Sequence, residues 1–310
     1  MRYLVTGGAG FIGHHLVRAL LDRGDEVVVL DDLSTGQIDR LAAVMDRIRM
    51  LEGSILDDAA LDAAMDGCSG VLHEAALASV ARSVRDPLTS NEVNVTGTVR
   101  LMLAAARAGV SRVVFAGSSS VYGSGGELPR RESQRCEPAS PYATTKLAAE
   151  AYVHSLGELL GIESASLRYF NVFGPGQDPS SEYAAVVPRF VTAALKGEEP
   201  VIYGDGSATR DFTYIDNVVQ ANLLALDAPS LDALTCNVGN GDRHSLLDLV
   251  ATIGDAVGRS LTPSFTGQRA GDVHDSQADI TVARERLGYD PRVGLADGIV
   301  RTVDWYRSAS

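Results

Sequence analysis

The sequence predicts an α/β protein, a doubly wound parallel sheet with a smaller substrate lobe at the C-terminal end. Three observations carry this. Apolar stretches of strand and helix character alternate from residue 1 to residue 167, the pattern of βα units feeding a parallel sheet. A glycine-rich turn joins the first strand to the first helix at residues 7–13. Beyond residue 167 the alternation loosens, interrupted by Gly174, Pro175, Gly176, Pro179, Pro188 and Pro200, as expected of a region built from shorter pieces. The expected division is a sheet domain over 1–167, with an excursion back to the sheet at about 205–238, and a lobe over 168–310. The length of 310 residues fits two domains, or one large α/β unit with an appended lobe.

Taken in order, Arg2 to Thr6 is the first strand, Phe11 to Arg23 a helix, and Glu26 to Leu30 the second strand. Between the first two, Gly8-Ala9-Gly10-Phe11-Ile12-Gly13 forms a G-x-G-x-x-G pattern, and Gly7 precedes it. Glycines here permit a tight turn, a close approach of the backbone to a pyrophosphate, and close packing of helix on sheet. The helix N-terminus then faces the phosphates. Asp31 lies 18 residues beyond Gly13, at the end of the second strand. That placement suits hydrogen bonds from an adenosine ribose and repels a 2′-phosphate, so NAD is expected over NADP. Asp32 with Ser34, Thr35 and Gly36 forms the loop around that ribose.

Short strands follow at Arg49 to Leu51 and Gly70 to His73, with a helix over Asp57 to Met65 between them. His73-Glu74-Ala75-Ala76-Leu77 leaves a strand end on small residues against which a flat ring can lie. A long helix is expected over Asn91 to Ala108 and a strand over Arg112 to Ala116. That strand runs into Gly117-Ser118-Ser119-Ser120-Val121-Tyr122-Gly123, hydroxyls at the carboxyl end of a parallel strand, where doubly wound sheets bind ligands.

The stretch Ser140-Pro141-Tyr142-Ala143-Thr144-Thr145-Lys146 opens the next helix. Ser140 can cap it and Pro141 suits its first position. Tyr142 and Lys146 are four apart and share a face. A tyrosine of pKa about 10 is a poor base at neutral pH, and a nearby ammonium favours its phenolate. Bringing it to about 7 needs about 4 kcal/mol, so a second cation is expected, a role an oxidised nicotinamide ring fills. Glu163 to Leu167 is a further strand, and helices are expected at Tyr183 to Lys196, Ile215 to Leu226, Ser245 to Val257 and Gly294 to Tyr306.

Composition bounds the function. A 45% hydrophobic and 22% charged chain is ordinary for a globular protein. The net charge of -13 disfavours nucleic acid and anionic membrane as partners. Cys68, Cys136 and Cys236 are far apart, without metal-ligand spacing, so a reduced protein without disulfides or a metal site is expected. No stretch of 18 apolar residues is present, and Met1-Arg2 runs straight into a strand and not into a leader. A cytoplasmic location is the expectation.

With Gly7 to Gly13, Asp31, Ser118, Tyr142 and Lys146 in place, the chain resembles the extended short-chain dehydrogenase/reductases from residue 1 to about 306. Within them it is most similar to the UDP-hexose 4-epimerases. Further segments carrying the likeness are His73 to Ser83, Asn94-Val95-Thr96-Gly97-Thr98, Leu167 to Gly174, Arg210 to Asp216 and Arg269-Ala270-Gly271-Asp272-Val273.

The resemblance implies that Tyr142 is the base, that Lys146 orients the nicotinamide ribose and lowers the tyrosine pKa, and that Ser118 bonds the sugar hydroxyl. It implies a cofactor wall of Gly7, Gly10, Phe11, Ile12, Gly13, Ile55, Ala75 and Ala76, with Asn94 and Tyr169 on the nicotinamide side. Ser54 departs from the family, many members of which carry an acid there near the adenine. On the substrate side it implies Ser79, Val80, Arg82, Ser119 and Ser120 near the sugar, Asn171 on the sugar diphosphate, and Arg210 and Arg269 on the diphosphate. Asp272 would hold the uridine ribose and Tyr203 would stack on uracil.

Ser276 takes the place of a gate that is tyrosine in strict UDP-glucose/galactose epimerases, and Ala185, beside Val186, is likewise small. Together with Ala78 to Ser83 and Gln177-Asp178-Pro179, these resemble the UDP-N-acetylglucosamine 4-epimerases and imply room for a 2-acetamido group. UDP-glucuronate epimerisation stays open, since Arg82 could face a C6 carboxylate. A nucleotide-sugar dehydratase would place acids where Ser119 and Ser120 stand, and a non-catalytic NAD(H)-sensing module would lack the base. The alanine-rich helices 91–108 and 142–160 pair across a twofold axis in this family, which implies a homodimer.

Overall fold

The computed structural model describes residues 1–179, 185–267 and 275–309. Its centre is a seven-stranded parallel sheet. The strands are β1 (Arg2–Thr6), β2 (Glu26–Asp31), β3 (Ile48–Glu52), β4 (Gly70–His73), β5 (Arg112–Ser118) and β6 (Glu163–Tyr169). Short pieces follow as β7 (Val172–Phe173), β8 (Val201–Tyr203), β9 (Thr209–Arg210), β10 (Thr213–Tyr214), β11 (Leu234–Val238), β12 (His244–Ser245) and β13 (Ser264–Thr266). The sheet order is β11-β6-β5-β4-β1-β2-β3, and each neighbouring pair is parallel. The strand order reverses at β1, which pairs with β2 on one side and β4 on the other. A crevice is therefore expected beyond the carboxyl ends of those strands.

A parallel sheet is covered on both faces, because its crossovers carry helices over each. The strands accordingly bury residues in alternation. Tyr3, Val5, Val27, Val29, Leu72 and Val114 enter one apolar cluster, and Leu4, Val28, Leu30, Val71, Val113 and Phe115 the other.

The helices are α1 (Phe11–Asp22), α2 (Asp58–Met65), α3 (Val80–Arg85), α4 (Pro87–Asn91), α5 (Gly97–Ala108), α6 (Pro141–Leu160), α7 (Val186–Lys196), α8 (Ile215–Asp227), α9 (Leu246–Val257), α10 (Thr281–Leu287) and α11 (Leu295–Ala309). The first cluster takes Leu16 and Leu20 of α1, Val218 and Ala221 of α8, and Ile299 and Val303 of α11. The second takes Leu61 of α2, Leu101 and Ala105 of α5, and Ala149 and Val153 of α6.

Cap chemistry places several helix starts where the sequence puts them. Asp57 accepts from the amides of Ala59 and Ala60. Ser140 accepts from Ala143 N ahead of Pro141, and Ser245 with Asp248 closes a capping box on α9. The expected helix over Asn91 to Ala108 differs. It is α4, a π turn over Glu92–Thr96, and then α5. A π turn inserts one extra residue into the helix, and here it carries Asn94. Residues 79–85, of which Ser79, Val80 and Arg82 were expected near the sugar, contain α3, capped by Ser79, which accepts from Arg82 N. Ser83 of α3 is fully buried and accepts from Tyr142 N at 2.9 Å, pinning the start of α6. The chain returns to the sheet late, through α8 and β11, and β11 pairs with β6 from Leu234↔Ala165 to Val238↔Tyr169.

Candidate active site

The glycine turn lines a cavity of about 230 Å3 at the β1, β2 and β4 ends. Its glycines are required by geometry. Gly7 has φ +67°, and a Cβ there would stand 2.8 Å from Ala75 N. A Cβ on Gly13 would stand 2.1 Å from Gly7 O, closer than any real contact, and the atom it meets is backbone that cannot step aside. Helix α1 starts from Gly10 without a side-chain cap. Its first amides thus face the cavity with no side chain competing for them, the arrangement that receives a phosphate.

Asp31 is buried and receives two loop amides, Ala9 N on Oδ2 and Leu33 N on Oδ1, each at 2.9 Å. Burial pushes its pKa up, while those two amides pull it down. Each oxygen keeps a lone pair for a ribose hydroxyl. Gly36 lies against the carboxylate, since a Cβ on it would come within 2.6 Å of Asp31 Oδ1. Asp32 is exposed and is used locally, accepting from Ser34 N and Ser34 Oγ. Sequence reasoning missed Arg40, whose guanidinium donates to Ala9 O at 3.1 Å and to Gly176 O at 2.9 Å. It ties the glycine turn to the loop that follows β7. The remaining wall holds Phe11, Ile12, Ser34, Thr35, Ile55, Glu74, Ala75 and Ala76. A dinucleotide fits this donor set: uncapped helix amides, a ribose acceptor and small residues at the strand ends.

Ser118 at the end of β5 bonds the Tyr142 side chain and shares a 2.8 Å contact with Ser120 Oγ. Lys146 is buried, donates to Ala116 O at 2.9 Å and stands 4.9 Å from the Phe115 ring centroid. Burial lowers its pKa to about 8, opposed by the charge of Glu74. Tyr142 shows the opposite of what the Tyr-Lys spacing implies. Its pKa is raised, chiefly by burial and also by Glu74, and only the Ser118 hydrogen bond pulls it down. In the protein alone Lys146 is engaged with a carbonyl and an aromatic ring, and the carboxyl of Glu74 is the charged group that Tyr142 feels.

Glu74 was read in the sequence only as part of a stretch of small residues. It lines the cavity, and its Oε1 accepts from Tyr169 OH at 2.9 Å. Burial pushes its pKa up to about 7, against the pull of Tyr169 and Lys146.

A second cavity, of about 260 Å3, opens among Asn171, Val172, Ala185, Val186, Val187, Arg189, Phe190, Val201, Tyr203, Arg210, Phe212 and Leu246. It gathers five of the residues expected on the substrate side: Asn171, Ala185, Val186, Tyr203 and Arg210. Arg189 was missed, and its guanidinium carbon lies 5.4 Å from the Tyr203 ring centroid. Its signal was available, for Arg189 falls three residues after Val186 on the helix and so shares its face. Arg269 and Asp272 lie outside the described residues, as do Tyr183 and Ala184.

Several expected contacts are placed elsewhere. Asn94 is buried in the π turn, accepts from Leu77 N at 2.8 Å and donates to Leu77 O and Thr145 Oγ1. It clamps the loop after β4 to α6, and its amide is spent on protein partners. Tyr169 is also buried, with its hydroxyl between Glu74 and Asn222 Nδ2, the latter at 2.8 Å. Where Ser54 was expected, Gly53 and Ile55 line the cavity, and Ser54 Oγ accepts from Leu56 N in a turn.

Ser79, Val80 and Arg82 belong to the cap and body of α3 and line neither cavity. Ser119 and Ser120 form a single 3-10 turn with Val121 and Tyr122. Asn171 has φ +28° and donates to Asp211 O at 3.0 Å and Ser276 Oγ at 3.1 Å. Ser276 is buried, 9% exposed, and acts through Asn171 and not at the cavity wall.

Sheet topology, glycine turn, ribose acceptor and the Ser118, Tyr142 and Lys146 cluster define a dinucleotide-dependent enzyme built on a Rossmann sheet. The chain belongs to the NAD dependent epimerase/dehydratase family, whose model matches residues 3–239. It is 43% identical over 319 residues to a UDP-glucose 4-epimerase of Mycolicibacterium smegmatis, a match that spans all of both chains. The structure of a UDP-glucose 4-epimerase of Thermotoga maritima with UDP-glucose superposes with a TM-score of 0.95 at 36% identity. It covers 100% of this chain and 99% of that one. A UDP-N-acetylglucosamine 4-epimerase of Methanobrevibacter ruminantium, solved with UDP-N-acetylmuramic acid, gives the same TM-score, identity and coverage. Among the described residues no cluster of three metal-ligating side chains occurs, and no helix is long and apolar enough to cross a membrane.

Proposed function

We propose that this protein is an NAD-dependent UDP-sugar 4-epimerase that accepts the 2-acetamido sugars, UDP-N-acetylglucosamine and UDP-N-acetylgalactosamine, as well as UDP-glucose and UDP-galactose. The observation that carries the reaction class is the cluster of Ser118, Tyr142 and the buried Lys146 at the β5 end, beside the cavity that the glycine turn and Asp31 line. The dinucleotide, held by the glycine turn and Asp31, would supply the hydride acceptor for C4 of the sugar and the hydride donor back to the opposite face of the 4-keto form.

The protein's own residues move the proton and hold the substrate. Tyr142 accepts the proton of the sugar 4-hydroxyl and later gives it back. Its raised pKa makes it a poor base until positive charge gathers beside it, from Lys146 and from the oxidised ring. Ser118, already bonded to Tyr142, orients the same hydroxyl. The second cavity receives the nucleotide end: Arg210 and Arg189 suit a diphosphate, and Tyr203 offers a face to the base. Ser119 and Ser120 stand where a dehydratase needs acids, so elimination has no group to carry it.

Ala185 in the cavity wall is small and supports the acetamido reading, and a larger side chain in place of Ser276 would press on Asn171, which does line that wall. Ser276→Tyr is expected to remove turnover of UDP-N-acetylglucosamine while keeping that of UDP-glucose. Equal loss of both would sink the gate. Product analysis of UDP-glucose, UDP-N-acetylglucosamine and UDP-glucuronate, incubated with purified protein and no added NAD, tests the whole reading. C4 epimers of the first two are expected, and conversion of the glucuronate alone would replace the substrate assignment.

A homodimer completes the proposal. Leu103 of α5 and Tyr152 and Leu159 of α6 are exposed apolar side chains, joined by Val84 and Leu88 of α3 and α4. A second copy is the occupant such helices suit, and light scattering is expected to return twice the chain mass.

A further inference from the structure

Among the described residues, Glu74 is the one carboxyl at the hydride end of the cofactor cavity that the proposed reaction leaves without a task, and it is fixed in place. It stands one residue beyond β4 and lines the cavity. One oxygen receives the Tyr169 hydroxyl at 2.9 Å, and that hydroxyl is itself fixed by Asn222 Nδ2 at 2.8 Å. The carboxyl therefore cannot swing out to solvent without breaking a partly buried chain of two hydrogen bonds. Three titratable groups face it: Lys146 and Tyr142 from α6, which it influences by charge, and Tyr169 from β6, which it bonds. The adjacent His73 is turned to Thr6 and Thr98 and kept neutral, burial and Lys146 holding its pKa near about 3.

A fixed negative charge in a cavity sheltered from water discriminates between ligands that differ by one unit of charge. The two redox forms of a nicotinamide ring differ in that way, the oxidised ring being cationic and the reduced ring neutral. We propose that Glu74 sets the redox preference of the site, its carboxylate favouring the oxidised over the reduced dinucleotide so that bound cofactor rests in the form that starts each turnover. The inference rests on the placement of the reacting end of the cofactor beside Tyr142 and Lys146. It explains why an acid follows a strand end otherwise made of small residues. Because burial brings Glu74 to a pKa of about 7, the preference strengthens as pH rises through neutrality and the carboxyl ionises.

The test equilibrates full-length protein with an equimolar excess of NAD+ and NADH, then resolves the bound nucleotide by chromatography. Glu74→Gln keeps an acceptor for Tyr169 and removes the charge. At pH 8 the bound ratio of NAD+ to NADH is expected to fall about tenfold in this variant, equivalent to about 1.4 kcal/mol. The wild-type ratio is expected to climb between pH 6 and 7.5. The variant loses the part of that climb that Glu74 supplies and keeps only the slope from Lys146, whose pKa moves below its wild-type value of about 8 because the Glu74 charge that raised it is gone.

Tyr169→Phe provides a second arm. It keeps the charge but removes a donor that favours ionisation, so the midpoint moves to higher pH while the high-pH ratio survives. A Glu74→Gln ratio within twofold of wild type at every pH overturns the proposal and leaves the cofactor reading intact. Wild-type protein that retains neither nucleotide overturns both.

Discussion

The two cavities are built by opposite means. The first is shaped by what is missing: Gly7, Gly10 and Gly13 remove side chains so that backbone can close on a ligand, and a buried Asp31 is fixed by main-chain amides. The second is shaped by what is added, since Arg189, Tyr203, Arg210 and Phe212 project from three short elements and a loop around it. Backbone cradles tolerate almost no substitution, whereas side-chain walls can be exchanged one at a time. A constant cofactor and a variable sugar nucleotide call for that division. The two halves meet at the end of β6, where Tyr169 bonds the cofactor-side Glu74 and Asn171, two residues on, lines the second cavity.

The comparison breaks most decisively at Gly13. Its replacement by alanine puts a methyl 2.1 Å from Gly7 O, so the turn and α1 must separate. Loss of all co-purifying nucleotide and of all turnover is expected, read by the absorbance of the protein and by product analysis. A Gly13→Ala protein that still carries nucleotide would show that the turn is not the cradle. Next in size is Tyr142→Phe, which should keep nucleotide and lower kcat by about 10^3, within the span of general acid–base effects. Unchanged turnover would return the chain to a sensing role.

How far the sequence alone could reach follows the same line. β1, the glycine turn, Asp31 and the cap of α6 were legible because each is a local rule written within a few consecutive residues. The parallel sheet was legible from strand and helix alternation. The π turn was not, since one extra residue in a helix leaves no periodic signature, and with it the inward aim of Asn94 was lost. The role of Glu74 was not legible, because it comes from a partner, Tyr169, 95 positions along the chain. The direction of the Tyr142 pKa in the protein alone was not legible for a similar reason. Helical spacing places Lys146 on the right face, but only tertiary structure shows that Ala116 O and Phe115 occupy it. Arg189 was passed over because an arginine on an amphipathic helix is ordinarily a solvated charge.

In the second cavity effects should fall on binding and not on chemistry. Arg210→Leu removes a charge suited to a dianionic diphosphate, and KM for the UDP-sugar should rise by about 10- to 100-fold with kcat held. That range corresponds to the loss of a charge-assisted hydrogen bond. A fall in kcat with KM unchanged would move Arg210 to the reacting end.

Arg189 sharpens the contrast at its smallest scale. Its guanidinium lies over Tyr203 at 5.4 Å, a cation–π contact worth about 1 kcal/mol at a partly open site, or about fivefold in binding. If Tyr203 presents its ring to the uracil, Arg189 fixes the ring plane, and Arg189→Leu should raise KM about fivefold for every UDP-sugar alike, with kcat untouched. Arg189→Lys keeps the charge but not the planar stack, so it should recover only part of that loss. Full recovery by lysine would mean that the charge alone matters and that Arg189 serves the diphosphate beside Arg210. A change that depends on the sugar attached would mean that the second cavity reads the hexose as well as the nucleotide.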